Sequence, residues 1–487
     1  MYPEFEPQQD FNQGWSRRKR VAFGLLSLLL VLTLLLSAVE AIIWMWTQWQ
    51  EGRFVRSDVP PTVVAEEEGD VLATAVSTPT PDLSALLPLT ELENDRIVFI
   101  DSRGEIATIS PDGSNLRTLT DSDKRFQFPA WSPDGQYVAA IGNSRQGSGI
   151  YVIHDVDDVD EPDERYFSRL QNPVYLYWSP DSSQLSFIAN DLEGELALYL
   201  AAVSGERESR VLGTGSPFYW NWTDGGERLL IHSGGAGTDS RLALLDASGE
   251  VEDEEIARPG LFQAPAVSGD GRFWAYAEEQ QGGLSWLTIW DRESDEVERY
   301  RHAGLIAMSW NPAANQLAMI SGQPDSLDFY GPLRLLNMET GDVQVISRDL
   351  VLGFFWSPDG RYLAYISVAG MTNDVQAAGK GNGLAKTAVS LPLAQQDNPH
   401  PFLLRVVDTT SGEDRLLTQF QPTFMFLGQF LPYFDQYTHS HQLWAPDGRA
   451  LVMPMRMDGR NQVVVVPIDG GELHPIANGD MPFWSHQ

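Results

Sequence analysis

The stretch that decides the fold is Trp131-Ser132-Pro133-Asp134-Gly135, followed by Gln136-Tyr137-Val138-Ala139-Ala140-Ile141. Proline presets φ for a turn, aspartate bonds nearby backbone and glycine accepts a positive φ. The pentapeptide therefore reads as a tight turn and the apolar run after it as a strand. Trp356-Ser357-Pro358-Asp359-Gly360 precedes a second such run, and Trp444-Ala445-Pro446-Asp447-Gly448 a third. Weaker copies begin at Trp178, Trp222, Val267 and Trp310, and a truncated one at Trp484. Start-to-start spacings are 47, 44, 45, 43, 46, 88 and 40. A period of roughly 40–45 residues with four short strands per unit is that of a propeller blade. The tryptophan before each turn can fill the space between neighbouring blades.

The spacing predicts an all-β fold over residues 95–487, an eight-bladed propeller of four-stranded blades, with seven blades as the alternative. The stretches Arg96–Ile100, Glu105–Ile109 and Leu116–Thr120 carry no motif, whereas Met481–Trp484 carries only its beginning. These are expected to complete one blade together, because closing the ring removes free sheet edges. The 88-residue spacing marks an oversized seventh blade with insertions at about 370–400 and 421–441.

Outward from the repeats, composition narrows the function classes. The chain has 487 residues, no cysteine, and 33 Lys+Arg against 67 Asp+Glu, a net charge of -34. That excludes disulfides, thiolate metal sites and a cysteine nucleophile. It also argues against nucleic acid, whose phosphates such a body repels. Val21–Val39 is an apolar run preceded by Arg17, Arg18, Lys19 and Arg20 and followed by Trp44, Trp46 and Trp49. This reads as one transmembrane helix, 21–46, after a cytoplasmic tail, 1–20. A stalk rich in Pro, Ser, Thr and Glu, 47–94, follows. The expected topology is single-pass in a bacterial cytoplasmic membrane, with the N-terminus inside and the propeller outside.

The repeat resembles the WD40-like (PD40) propeller repeat of the TolB family. The resemblance is carried by Pro129-Ala130-Trp131-Ser132-Pro133-Asp134-Gly135 and by Ile106-Ala107-Thr108-Ile109-Ser110-Pro111-Asp112-Gly113 upstream. It covers roughly residues 95–487 and implies a propeller with protein partners. TolB-like propellers are typically six-bladed. Blade number and anchor are instead similar to the propeller part of dipeptidyl-peptidase-IV-type proteins, without their hydrolase domain. The residues matching the blade motif are Trp131, Pro133, Asp134, Gly135, Trp178, Trp222, Trp310, Trp356, Pro358, Asp359, Gly360, Trp444, Asp447, Gly448 and Trp484.

Catalytic motifs are scarce. No Gly-x-Ser-x-Gly elbow occurs, and an α/β-hydrolase needs one. Gly379-Lys380-Gly381-Asn382-Gly383 lacks the spacing of a phosphate loop. His439-Ser440-His441 offers two imidazoles on one face of a strand, without a third ligand nearby. The acidic run His154–Glu161 lacks the calcium-loop order. The chain is thus expected to be no enzyme and to hold no cofactor or metal.

Aromatic residues are the better lead. Phe424, Phe426, Phe430, Tyr433, Phe434 and Tyr437 lie in the second insertion beside His439 and His441, and Lys380 and Lys386 lie in the first. Exposed aromatics anchor partners, so these ten residues are the candidate contact. Phe218-Tyr219-Trp220-Asn221-Trp222 reads instead as packing between blades. The expected function is a membrane-anchored, non-catalytic scaffold or sensor for a protein or peptide in the cell envelope. The alternative is a ligand-binding or enzymatic propeller acting on an envelope saccharide or a cationic peptide.

Overall fold

The computed structural model describes residues 95–486, apart from 156–161, 191–193, 206–208, 236–238, 281–283, 303, 324–327 and 373–400. The described residues all belong to one compact unit, Leu83–Gln487. The expected tail, membrane helix and stalk lie outside the described residues.

Each motif copy ends one strand and starts the next, so consecutive strands pair antiparallel. Arg125–Trp131, Tyr137–Asn143, Ser148–His154 and Asp163–Ser168 form one four-stranded sheet in chain order. Three more follow, running from Pro173 to Thr214, from Phe218 to Ala257 and from Ala266 to His302. Ile306–Trp310 opens a seven-stranded sheet that ends with Asp414–Phe420. Its long strand Val343–Trp356 serves two units, pairing with Gly331–Asn337 through Val343–Ser347 and with Tyr362–Thr372 through Gly353–Trp356. The C-terminal strand His474–Trp484 does the same in a six-stranded sheet. Its first part pairs with Arg460–Pro467, its second with Ile97–Asp101, in the register Ile97↔Trp484 and Val98↔Phe483. The two ends of the propeller thus share one sheet, closed further by Ser485 N donating to Arg96 O at 2.8 Å.

The motif has a physical role at each residue. The serine hydroxyl donates to the aspartate two residues on, at 2.5 Å for Ser132–Asp134 and 2.6 Å for Ser357–Asp359. The same oxygen accepts the backbone N–H that opens the next strand, at 3.0 Å from Tyr137 and 2.8 Å from Tyr362. The tryptophan reaches sideways. Trp178 Nε1 donates to Ala130 O at 3.0 Å, Trp310 to Ala266 O at 3.2 Å, Trp356 to Ser309 O at 3.1 Å and Trp444 to Phe355 O at 3.0 Å. Every acceptor immediately precedes the preceding motif copy. One residue type thereby fills the space between sheets and ties each inner strand to the last. The indoles of Trp131, Trp222 and Trp484 are buried and lack this bond.

The longest continuous helical stretch among the described residues, Phe426–Tyr437, spans three short helical segments. At about 1.5 Å per residue it reaches roughly 18 Å, short of a hydrocarbon core of about 30 Å. No helix of the described residues is long and apolar enough to cross a membrane. This finding stands against the expected single-pass topology and the localisation drawn from it. Residues 21–46 themselves lie outside the described residues.

Candidate functional site

The second insertion does not stand out from the ring; it fills the ring's centre. After the strand Asp414–Phe420, Thr423 Oγ1 donates to Asp480 Oδ1 at 2.7 Å and the chain turns inward. Phe426, Phe430 and Phe434 are fully buried and Tyr437 is 5% exposed. Phe430 packs on Phe426, Tyr437 and Phe483 with ring centres 5.0, 5.1 and 5.8 Å apart. Phe434 meets Phe329 at 5.5 Å and Phe354 at 4.9 Å, and Tyr437 meets Phe128 at 5.2 Å and Tyr175 at 4.9 Å.

Polar groups set the plug's register. Gln436 Nε2 donates to Trp220 O and its Oε1 accepts Trp220 N–H, both at 2.9 Å. Asp435 Oδ2 accepts the Ala264 N–H at 3.2 Å. With its amide nitrogen turned toward the plug, Gln263 donates to Pro432 O at 3.2 Å and Asp435 Oδ1 at 3.1 Å. Burial pushes the Asp435 carboxyl up to about 7, against the lowering effect of these N–H donors.

One register explains where the plug sits. Three residues before the motif start, successive copies carry Phe128, Tyr175 and Tyr219, then Ala264, Ala307 and Gly353. The small residues admit the plug. A Cβ on Gly353 would lie 3.2 Å from both Leu431 Cδ2 and Phe434 Cγ. On the aromatic side a cavity of about 350 Å³ remains, lined by Phe128, Tyr175, Tyr219, Tyr433, Tyr437 and their neighbours. It lies toward the N-terminal ends of these inner strands. A second cavity of about 390 Å³ lies toward the C-terminal ends, beside Trp310, Trp356 and Trp444, with His439, His441 and His486 in its wall.

The candidate contacts divide accordingly. Phe424 is 64% exposed and Tyr433, which also borders the first cavity, 44% exposed. Phe426, Phe430, Phe434 and Tyr437 are corrected from contact to core: they are closed off by inner-strand aromatics. The two histidines do not share a strand face, because residues 438–440 form a turn. His439 stacks against Tyr177 at 6.0 Å and His441 packs on Phe483 at 4.6 Å. Burial lowers them to about 4 and about 3, so both are neutral at physiological pH. His441 Nδ1 lies 2.6 Å from Ser440 Oγ, which lies 2.7 Å from Tyr175 OH, a hydrogen-bonded link between the walls of the two cavities. Among the described residues no group of three or more His, Cys, Asp or Glu is placed to hold a metal. Asp155, in the acidic run, is 2.8 Å from Arg96 Nε. Lys380 and Lys386 lie outside the described residues.

Sequence reading missed Val174, Tyr175 and Tyr219 as cavity walls. In the Phe218–Trp222 group, Trp220 and Trp222 do pack as expected, at 0% and 4% exposure. The overlooked signal is the aromatic at one fixed repeat position in three consecutive copies.

No family model matches the chain. It is 26% identical over 266 residues to an uncharacterized protein of Agrobacterium fabrum, covering 52% of this chain and 87% of that one. The solved structures it is similar to are TolB-like propeller proteins. TolB from Acinetobacter baumannii has 16% identity and a TM-score of 0.36, covering 67% of this chain and 64% of that protein's own length. The dihydro-heme d1 dehydrogenase NirN, in complex with DHE, has 14% identity and a TM-score of 0.49, covering 80% of this chain and 74% of that one. At such identities the likeness concerns the fold alone. Because these structures include enzymes, NirN and an oligogalacturonate lyase among them, the expectation that the chain is no enzyme is withdrawn. The fold hosts both binding and catalysis.

Proposed function

We propose that residues 95–487 form an eight-bladed propeller that binds a protein or peptide partner on the face bearing Phe424 and Tyr433. Support for this blade number comes from dividing the two large sheets within their shared strands. Val343–Trp356 splits into an outer strand of one unit and an inner strand of the next, and His474–Trp484 splits likewise. With the four separate sheets this makes eight units, one for each motif copy.

The observation that carries the docking reading is the exposure of Phe424 and Tyr433 on a segment whose other aromatics are buried. Their backbone is held by the bonds of Thr423, Asp435 and Gln436, so the two rings are preorganised. Rigid aromatic anchors bind at low entropic cost. Leu170, 76% exposed, and Val174, 41% exposed, add apolar surface near the same strand ends. The test is affinity isolation of tagged full-length protein with quantitative mass spectrometry, beside a Phe424→Ser, Tyr433→Ser double variant. A stoichiometric partner that the variant loses is the expected result. A partner retained at the same stoichiometry overturns the docking face.

A further inference from the structure

We infer that the cavity between the plug and the aromatic side of the ring is a binding site for an uncharged, mainly apolar group carrying a hydrogen-bond acceptor such as an amide carbonyl. This goes beyond the docking face and stands on different observations.

The first observation is a pair of donors without a protein acceptor. Tyr219 and Tyr437 line the cavity and are 7% and 5% exposed. Neither hydroxyl has a hydrogen-bond partner among the described residues, whereas Tyr175 of the same wall donates to Gln436 O at 2.9 Å. Neither oxygen is sealed from solvent, so each is free to donate to a ligand acceptor that displaces water. Burial holds both phenols well above their ordinary range, so they remain protonated donors.

The second observation is the character of the wall. None of the lining residues is charged, and the polar ones besides tyrosine are the amides Gln127, Gln429 and Gln436. An anion entering would be desolvated without a cation to meet it. It would also approach Asp435, which lies near enough to Tyr219 to raise its phenol further. A cation finds no carboxylate in the wall. A polyhydroxylated ligand would leave hydroxyls against the aliphatic side chains of Val174, Ile188 and Leu196. An aromatic or branched aliphatic body fits that wall, and one carbonyl satisfies the phenols. The volume, about 350 Å³, is at the small end of the range for ligand pockets. Such a group comes either from a side chain with its adjoining peptide unit in a partner, or from a free small molecule.

The test titrates the full chain with N-acetylphenylalaninamide, phenylacetate and 2-phenylethylamine by calorimetry. The neutral amide is expected to bind at least tenfold tighter than either ion. The double variant Tyr219→Phe, Tyr437→Phe keeps both rings and removes both hydroxyls. It is expected to lower amide affinity about tenfold or more while leaving toluene binding and Tm unchanged or Tm raised; a purely packing role would lower Tm instead. Amide binding indifferent to the double variant, preference for either ion, or no binding by any probe overturns the assignment. If the amide displaces the partner captured in the preceding experiment, the group belongs to that partner's chain. If it binds without displacement, the natural group is a free molecule. Both results sustain the cavity. Failure of every probe while Phe424→Ser alone, outside the cavity wall, still releases the partner overturns the cavity alone and leaves the docking face standing.

Discussion

The blade turns and the central plug use similar residues to opposite ends. In the turns a serine, an aspartate and a glycine satisfy each other within five residues, and the tryptophan bonds to the neighbouring unit. In the plug, the contacts that fix it within the ring are remote in sequence. Gln436 bonds to Trp220, Asp435 to Ala264, and Phe434 packs on Phe329 and Phe354. Local chemistry repeats and is therefore recognisable; long-range chemistry occurs once. The contrast teaches that aromatic density alone does not separate a contact surface from a core.

The sharpest way to break that contrast is within the plug itself. Phe430→Ala is expected to destabilise the fold by about 3–5 kcal/mol, because a fully buried ring surrounded by aromatics leaves a cavity. Phe424→Ala, six residues earlier and mostly exposed, is expected to change stability by less than about 0.5 kcal/mol. Denaturant unfolding of the two variants distinguishes the roles, and equal effects would refute the core assignment.

Within the turns, glycines of the same motif position should differ. Gly360 has φ +69° and a Cβ there would meet Asn311 Oδ1 at 1.9 Å, where Asn311 also donates to Gly360 O at 2.8 Å. Gly135 has nearly the same φ, +70°, with nothing within 4 Å. Gly360→Ala is expected to cost about 3 kcal/mol and Gly135→Ala about 1–2 kcal/mol. The same unfolding assay measures both, and identical losses would show that backbone strain alone decides.

The plug also carries a pH-sensitive group. Asp435 titrates at about 7 in the fold against roughly 3.9 unfolded, so the folded state holds an extra proton between those values. Its contribution is full below about pH 4 and is lost as pH rises to about 7. His439 and His441, lowered to about 4 and about 3, act oppositely. Their contribution is full above roughly pH 6.5, the unfolded value, and is lost as pH falls through the folded values. Asp435→Asn removes the first dependence and keeps the second. Its stability relative to wild type is expected to improve from pH 4 to 7, by on the order of 2 kcal/mol, then level off. A pH-independent difference would mean the carboxyl does not titrate there. Ser357→Ala acts on a single blade turn. It removes the acceptor for the Tyr362 N–H and the donor to Asp359, and is expected to cost about 1–2 kcal/mol in unfolding free energy.

The propeller was legible because its determinants are local. Trp131-Ser132-Pro133-Asp134-Gly135 and its copies announce their turns, their strands and their period. Even the pairing of the C-terminal strand with Ile97–Asp101 was expected, from motif-free strands at one end and a truncated motif at the other. The site was only partly legible. The insertion at 421–441 was recognisable as extra chain, yet its aromatics read as a surface because nothing in the stretch says what faces it. Tyr219 read as packing because it shares a stretch with Trp220 and Trp222, whose indoles do pack.

By itself the sequence determined the repeating turn and the all-β class, since each depends on residues within a few positions or one repeat of each other; the pairing of the two ends, Ile97 with Trp484, was read from the truncated last copy. Only the tertiary structure decided that the insertion turns inward, packs closely against Gly353 and leaves a cavity beside Phe128, Tyr175 and Tyr219. That choice is steric. Bulky rings on one arc and small residues on the other leave room for the plug on one side and a cavity on the other. The difference becomes physical only when the repeats are bent into a circle and residues about 45 positions apart come to face a common axis.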